Sequence, residues 1–253
     1  MNFKLIFAAA AMLATQSFAI AGIGFHYSPN VGTTLNEAGR SDFEGYEGKL
    51  GFSHGNFDYI QGFGFKAWVD ILPFIDIEGT FNIQFASYNA SLWVGEDTEI
   101  PLEIELGGTP FAKATPKYVA MNADLSVNYP FDIPLLPITP YVGAGITMHL
   151  NTFVLNKSFV DKALTKLKDE NEKLPIDDQE EIAKKLAKKV TELAADEGLN
   201  KSIGFHILAG VRAKLPIIPI AAYANVKCYI GGDYDADIDP GHFAFELGGG
   251  FAL

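Results

Sequence analysis

The chain has a single cysteine, Cys228, among its 253 residues. One cysteine forms no intrachain disulfide, so an exported chain of this kind must be held together by something other than covalent staples. Long hydrophobic runs are also missing. Past the N-terminal segment, no window approaches the roughly 18 consecutive apolar residues that a membrane-spanning helix requires. Basic charge is scarce, with 19 Lys and Arg against 31 Asp and Glu and a formal net charge of −12. That balance excludes nucleic acid as a partner, because phosphate binding draws on a basic surface. The basic residues concentrate between Lys157 and Lys201, which leaves the remainder strongly acidic.

What is present begins with Met1-Asn2-Phe3-Lys4, an apolar stretch from Leu5 to Ala14, and the small-residue sites Ser17-Phe18-Ala19 and Ala19-Ile20-Ala21. This is the pattern of a secretory signal peptide over residues 1–21, with the mature domain over 22–253. The 25 Gly, 20 Phe and 10 Tyr favour sheet, and 20% charged residues is too low for a disordered chain.

Alternation with period two recurs in eight segments: Gly22 to Ser28, Gln61 to Ile71, Ile75 to Tyr88, Tyr118 to Tyr129, Thr139 to Leu150, Ile203 to Leu215, Ile218 to Ile230, and His242 to Leu253. In the sixth, Ile203, Phe205, Ile207, Ala209, Val211 and Ala213 share one face, while Gly204, His206, Leu208, Gly210, Arg212 and Lys214 share the other. Across all eight, the apolar face carries no Asp, Glu, Lys or Arg. Hydrocarbon imposes that pattern, since a charge at the bilayer midplane costs about 2–4 kcal/mol. An 11-residue strand tilted near 45° covers roughly 25 Å, the height of an outer-membrane apolar band.

The connections alternate in length. Leu72-Pro73-Phe74, Pro130 to Pro137 and Pro216-Ile217 are short and proline-bearing, as befits turns that need no ladder donor. Pro29 to Ile60, Asn89 to Lys117, Asn151 to Ser202 and Gly231 to Gly241 are long and are placed outside. A soluble barrel of the lipocalin kind would show no such strict alternation of loop length. The reading is therefore an all-β, eight-stranded antiparallel up-and-down transmembrane β-barrel of a bacterial outer membrane.

Within the third long connection, Ser158 to Glu197 change period. Val160, Leu164 and Leu167, then Ile182, Leu186, Val190 and Leu193, recur at helical spacing on either side of Pro175. Opposite charges at i and i+4 between Glu180-Glu181 and Lys184-Lys185 support a helical hairpin over about 157–198. It reads either as a solvated loop decoration or as a partner-binding or self-association element. Ser91 to Val94 and Glu99 to Leu106 form a further short hairpin, placed in the second external loop, which leaves the strand count at eight rather than ten.

Thr139-Pro140-Tyr141-Val142-Gly143-Ala144-Gly145-Ile146 and the terminal Glu246-Leu247-Gly248-Gly249-Gly250-Phe251-Ala252-Leu253 resemble strands of the OmpA-like outer-membrane β-barrel superfamily. The resemblance covers nearly all of residues 22–253 and is one of pattern. It implies outer-membrane lipid as the surroundings and the barrel-assembly machinery as the partner during biogenesis. The family's last strand usually ends on an aromatic residue, whereas here Phe251 precedes a terminal Leu253. No peptidoglycan-binding domain is expected after the barrel.

In an eight-stranded barrel the lumen is about filled by side chains. Lys66, Asp70, Asp76, Glu78, Asp124, Arg212, Lys214, Lys227 and Glu246 have inward parity, with Asn82, Gln84, Asn122 and Asn225 beside them. Mixed signs point to a paired ionic plug, with a narrow ion or solute path past Lys66, Glu78, Asp124 and Arg212 as the alternative. His26, His149, His206 and His242 also have inward parity at external strand ends, so His26 with His242 and His149 with His206 are weak candidates for a rim metal site. An enzyme would need a nucleophile, a base and an orienter. Ser53, His54 and Asp58 are the only local trio of that kind in the first loop. No cofactor is expected. The function read from the sequence is structural or surface-interacting, with the long loops offered to an extracellular partner.

Overall fold

The structure is a computed structural model and describes residues 21–252 except 73, 103, 106–112, 132, 134–135, 170–178, 198 and 215–217. Residues 1–20 of the predicted signal peptide, Pro73, Pro175 and Pro216-Ile217 lie outside the described residues, while Ala21, its last predicted residue, opens the first strand.

In chain order the strands are β1 (Ala21–Tyr27), β2 (Asn30–Leu35), β3 (Ala38–Asp42), β4 (Leu50–His54), β5 (Phe57–Leu72), β6 (Ile75–Ser87), β7 (Ala90–Val94), β8 (Thr98–Pro101), β9 (Ile104–Glu105), β10 (Lys113–Ala114), β11 (Lys117–Pro130) and β12 (Ile138–Asn151). Helices α1 (Lys157–Asp169) and α2 (Gln179–Glu197) follow, then β13 (Asn200–Lys214), β14 (Ile220–Gly231), β15 (Ile238–Asp239) and β16 (Phe243–Ala252). Eight of these strands form an antiparallel ring in the order β1-β16-β14-β13-β12-β11-β6-β5, and β5 pairs back to β1. Ile23 faces Phe251 on one side and Ala67 on the other, so the first strand closes the ring. Closure leaves no open edge in the hydrocarbon, where an unpaired backbone group has no water to turn to.

All eight predicted spans are present. Their ends differ where the ladder outruns the apolar pattern. β13 starts at Asn200, because Asn200, Lys201 and Ser202 continue the pairing with Asn151, Leu150 and His149. β14 starts at Ile220, directly after Pro219, which has no N–H to give. The exterior of the spans is apolar: Ile203 is 75% exposed and Leu247 68%, while the charged residues of the alternate face are buried apart from half-buried Asp70 and Lys214. Charge inside and hydrocarbon groups outside invert the arrangement of a soluble protein. The molecule is a small closed barrel with an exterior suited to hydrocarbon, and its short turns and both strand termini share one end, the end that membrane barrels of this kind turn to the periplasm.

The external connections are not loose. The first was expected to be a loop over Pro29 to Ile60 and instead contains β2, β3 and β4. Its strands are short, and their residues do not alternate cleanly, so period two did not reveal them. β2 pairs with β5, β15 and β16 and raises the barrel wall on one side. β3, β4, β7 and β8 make a separate four-stranded sheet, so the predicted hairpin of the second loop is present as β7 and β8, outside the ring, with its second arm ending at Pro101 and Ile104-Glu105 pairing with β10 instead. The helical hairpin is likewise present. It is no solvated decoration, because Val160, Leu164 and Leu167 of α1 and Ile182, Leu186 and Val190 of α2 are buried in one apolar core with the sheet residues Leu50, Phe52, Leu92 and Val94, α1 packing on β4 and α2 on α1 and β9. Asn156 caps α1 by accepting the Phe159 amide at 2.8 Å. The four-stranded sheet and the two helices form a cap on the barrel, and it shares one apolar core with Phe57, Ile60, Tyr88 and Tyr118 at the barrel mouth.

Ile207→Arg places a charge at mid-band on the lipid face. It is expected to cost about 2–4 kcal/mol, seen as a lower urea midpoint for refolding into vesicles. Glu99→Arg in the cap should leave that midpoint within about 0.5 kcal/mol.

Candidate functional site in the lumen

The lumen is built from the inward residue of every second position, and it holds a connected ionic network. Lys66 on β5 contacts Glu78 on β6 at 2.9 Å and Glu246 on β16 at 3.0 Å. Lys227 on β14 contacts Glu246 at 2.7 Å and Asp124 on β11 at 2.8 Å. Arg212 on β13 reaches Asp70 and Asp76, each at 3.3 Å, and Glu78 at 3.7 Å. Each lysine thus bridges two carboxylates, and Glu246 joins the two lysines. Burying ions this deeply is tolerable only with such pairing and with further hydrogen bonds to the remaining lone pairs. Those bonds are present: Asn225 donates to Glu246 at 2.8 Å, while Thr147 and Tyr229 donate to Asp124 at 2.8 and 3.0 Å.

Eight of the nine charged residues read as inward lie within this set of contacts. Lys214, the ninth, is half-buried near the Asp70 end and contributes electrostatically to Asp70. Aromatic partners were missed, although parity marks them as inward. Toward the periplasmic end Trp68 and Tyr223 pack together with Ala221 and Ala252. The Arg212 guanidinium lies 4.6 Å from the Trp68 ring and 5.3 Å from that of Tyr141, and the Lys66 ammonium lies 4.5 Å over Tyr223. Tyr141 donates to Asn225. Room for this layer comes from missing side chains: a Cβ at Gly22 would collide with the Trp68 ring, and one at Gly64 with His26 and Asn82.

The histidines separate. His26 bonds Asn82 at 2.7 Å and Tyr223 at 3.1 Å, and sits 3.8 Å from Glu246. His206 lies well inside β13, between Ser126 and Thr147 at 2.8 Å each. His149 bonds Asn122 at 2.8 Å and meets Tyr234 at 3.3 Å. His242 corrects the expectation of inward parity: it precedes β16, is exposed, and contacts the Tyr229 carbonyl at 3.2 Å. The strand starts one residue later than the pattern suggested; the His242 carbonyl still accepts the Tyr229 amide at 2.7 Å, but its side chain is exposed and does not join His26. Among the described residues no group of three or more His, Cys, Asp or Glu is arranged to hold a metal ion. The trio of the first loop is not assembled either. Ser53 accepts the Trp93 indole N–H at 2.8 Å, His54 is buried against the Gly55 carbonyl at 3.0 Å, and Asp58 is exposed.

Above the ionic layer, the Tyr118 hydroxyl, the Gln84 carbonyl oxygen and the Asn151 amide are buried without protein partners, the kind of groups that ordered water satisfies. The cap then closes the mouth. Its four connections are tied together: the Leu155 amide donates to the Tyr88 hydroxyl at 2.8 Å, the Val154 amide to Asp235 at 3.1 Å, and Lys157 to Ser41 at 3.0 Å. Burial pushes the Tyr234 hydroxyl up to about 12. A pocket of about 450 Å³ opens on the cap between the first and fourth connections, lined by Asn36, Glu37, His54, Asp237 and Asp239 among others. On the sheet, the Gly48 amide and then Arg40 hold the Asp42 carboxyl below its usual range, through bonds of 2.8 and 3.0 Å.

In fold the chain is similar to the outer membrane protein OprG from Pseudomonas aeruginosa, at 11% identity over 92% of this chain and 95% of that chain, with a TM-score of 0.46. It is similar also to Ail, the attachment invasion locus protein of Yersinia pestis, in a complex with the heparin analogue sucrose octasulfate, at 10% identity over 92% and 97% and a TM-score of 0.42. Neisserial surface protein A matches at 11% identity over 92% and 97%, with a TM-score of 0.42. No protein-family model matches the chain, and no curated protein matches it.

Lys227→Met leaves Asp124 and Glu246 each short of a cation in a dry interior. It is expected to cost about 3–5 kcal/mol, measured by urea titration of the heat-modifiable gel band. Asp42 gives a second test. A carboxyl held low in the folded state stabilises above its unfolded pKa, and that contribution is lost as pH falls through the folded value. Hydrogen-exchange protection of the Gly48 amide should therefore drop in acid, and Asp42→Asn should show low protection at every pH.

Proposed function

We propose that the barrel is a closed membrane support and that the folded extracellular cap is its working surface. The observation that carries this reading is a lumen blocked twice over. Lys66, Glu78, Lys227 and Glu246 are fully buried in mutual pairs, and the apolar core of the cap sits over the external mouth. A solute would have to separate ions held at 2.7 to 3.0 Å in a site without bulk water, and then displace Ile60, Tyr118 and their cap neighbours.

The cap supports the second half of the reading. A four-stranded sheet backed by two helices is a rigid platform, and rigid platforms are where binding loops gain precision. Its partner is extracellular and is met by the cap surface, including the pocket beside His54 and Asp237. The refolded protein, without its signal peptide, is expected to be silent in planar-bilayer conductance while still giving a heat-modifiable band. Reproducible single-channel steps in the wild type, altered by Lys66→Ala with Arg212→Ala, would replace this reading with a narrow pore.

A further inference from the structure

On the external side the chain leaves one sheet and joins another. β2 runs in the barrel wall as far as Leu35, which pairs with Phe57 of β5 and Ile238 of β15, and β3 begins in the cap at Ala38, which pairs with His54 of β4. Asn36 and Glu37 cross the fork between them. Neither ladder fills that fork, and the pocket of about 450 Å³ lies there, lined by Asn36, Glu37, Ala38 and His54 on one side and by residues 236–240 on the other. Its volume is in the range of small-molecule sites, about 300–1,000 Å³. The far wall is held in place: Ile238 is buried, its amide donates to the Asp235 carbonyl at 3.0 Å, and the Asp237 carboxylate accepts the Asn156 side-chain amide at 2.5 Å.

The charged lining is of one sign. Glu37, Asp237 and Asp239 bring three carboxylates, and no Lys or Arg lines the pocket with them. Asp237 has the neutral Asn156 amide against it, and no ion pair of Glu37 or Asp239 is present among the described residues.

His54 adds an independent acceptor. It is 5% exposed, and its ring packs on Phe52 and Tyr88, with centroids 6.1 and 6.5 Å away. Its Nδ1 lies 3.0 Å from the Gly55 carbonyl, an atom that can only accept, so Nδ1 carries the proton and the neutral ring keeps a lone pair on Nε2. Among the described residues Nε2 has no partner, and His54 lines the pocket. A lone pair on a buried ring calls for a donor from outside the chain.

These groups all accept, so their complement is a cation rich in N–H donors. They do not converge on one point, because among the described residues no group of three or more His, Cys, Asp or Glu is arranged to hold a metal ion. A single point charge would leave carboxylates unmatched. A flexible chain with spaced ammonium groups reaches them in turn, with its methylenes against Ala38, Ala236 and Pro240. We propose that this pocket binds a free linear polyamine, its ammonium groups paired with Glu37, Asp237 and Asp239 and one N–H donated to His54 Nε2. The proposal rests on the reading of the cap as the working surface and gives that surface a ligand class.

The test is equilibrium dialysis of radiolabelled spermidine against the mature chain refolded in a zwitterionic detergent at low salt, with the heat-modifiable band confirming the fold of each variant. The expected result is saturable binding, weakened about tenfold or more by Glu37→Gln with Asp239→Asn, both of them exposed. His54→Phe, which keeps a ring on Phe52 and Tyr88 and removes the lone pair, weakens it as well. Glu99→Gln with Asp161→Asn, the same loss of charge on the opposite edge strand of the cap sheet and on α1, leaves it unchanged. Tetramethylammonium, which has no N–H, and Nα-acetyl-lysine amide, which has one ammonium, displace spermidine only at about tenfold or higher concentration. Equal weakening by the two double variants overturns the proposal in favour of diffuse charge attraction. Equal displacement by tetramethylammonium overturns it in favour of charge without donors, and equal displacement by the lysine amide in favour of a basic side chain of a protein partner. No saturable binding, from a barrel silent in planar bilayers, overturns the ligand and leaves the cap reading standing. Single-channel steps from the same preparation overturn that reading, and the proposal with it.

Discussion

Glu246 holds the interior together. From β16, next to the closing strand, it receives Lys66 of β5 and Lys227 of β14, and through them it is linked to Glu78 and Asp124 on the far side of the ring. Asn225 and Asn82 donate to the same carboxylate. The backbone ladder makes the barrel a closed surface, but that ladder says nothing about what fills it. An apolar filling would give a chain with two greasy faces and no reason to keep one register. A charged filling makes a one-residue slip intolerable, because it would send Lys66, Lys227 and Glu246 into lipid and bring Phe and Ile into an ionic lumen.

The same constraint explains the small residues and the aromatic floor. Long side chains that pair across a narrow ring need space, which Gly22 and Gly64 supply by lacking a Cβ where Trp68 and His26 lie. Arg212 is the least enclosed of the three interior cations, and it lies between the Trp68 and Tyr141 rings. These rings shield the ionic layer from the periplasmic end as the cap shields it from outside. Two apolar closures around a charged centre lower the local dielectric and make each pair more costly to open.

The cap follows from what the barrel cannot provide. Inside the ring of strands the apolar cluster is small, Trp68, Tyr223, Ala221 and Ala252, since most of the apolar surface of the strands faces outward. Among the described residues the larger cluster of buried apolar residues lies in the cap and the external mouth of the barrel, built from the external connections together with Phe57, Ile60, Ala86, Tyr118 and Ala120 of the barrel strands. The helical hairpin is part of that core. Its amphipathic faces, legible at helical spacing in the sequence, are satisfied by the sheet beneath them.

Direction along each strand was legible locally. The pleat sends alternate side chains to opposite faces, so a charge-free set at every second position marks the lipid side, and prolines mark the turns, whatever the rest of the chain does. The sequence alone therefore determined eight spans, their inward and outward residues, a helical hairpin, and the residue types that line the lumen. It did not determine that Lys66 and Lys227 share Glu246, that the His242 side chain is exposed rather than inward, or that residues 38–54 form strands in a cap sheet. Those outcomes depend on register and closure, which bring together residues more than a hundred positions apart and reward short, weakly patterned segments only once a neighbouring surface exists to pair with them. Facing is a local property of the backbone, and partnership is not.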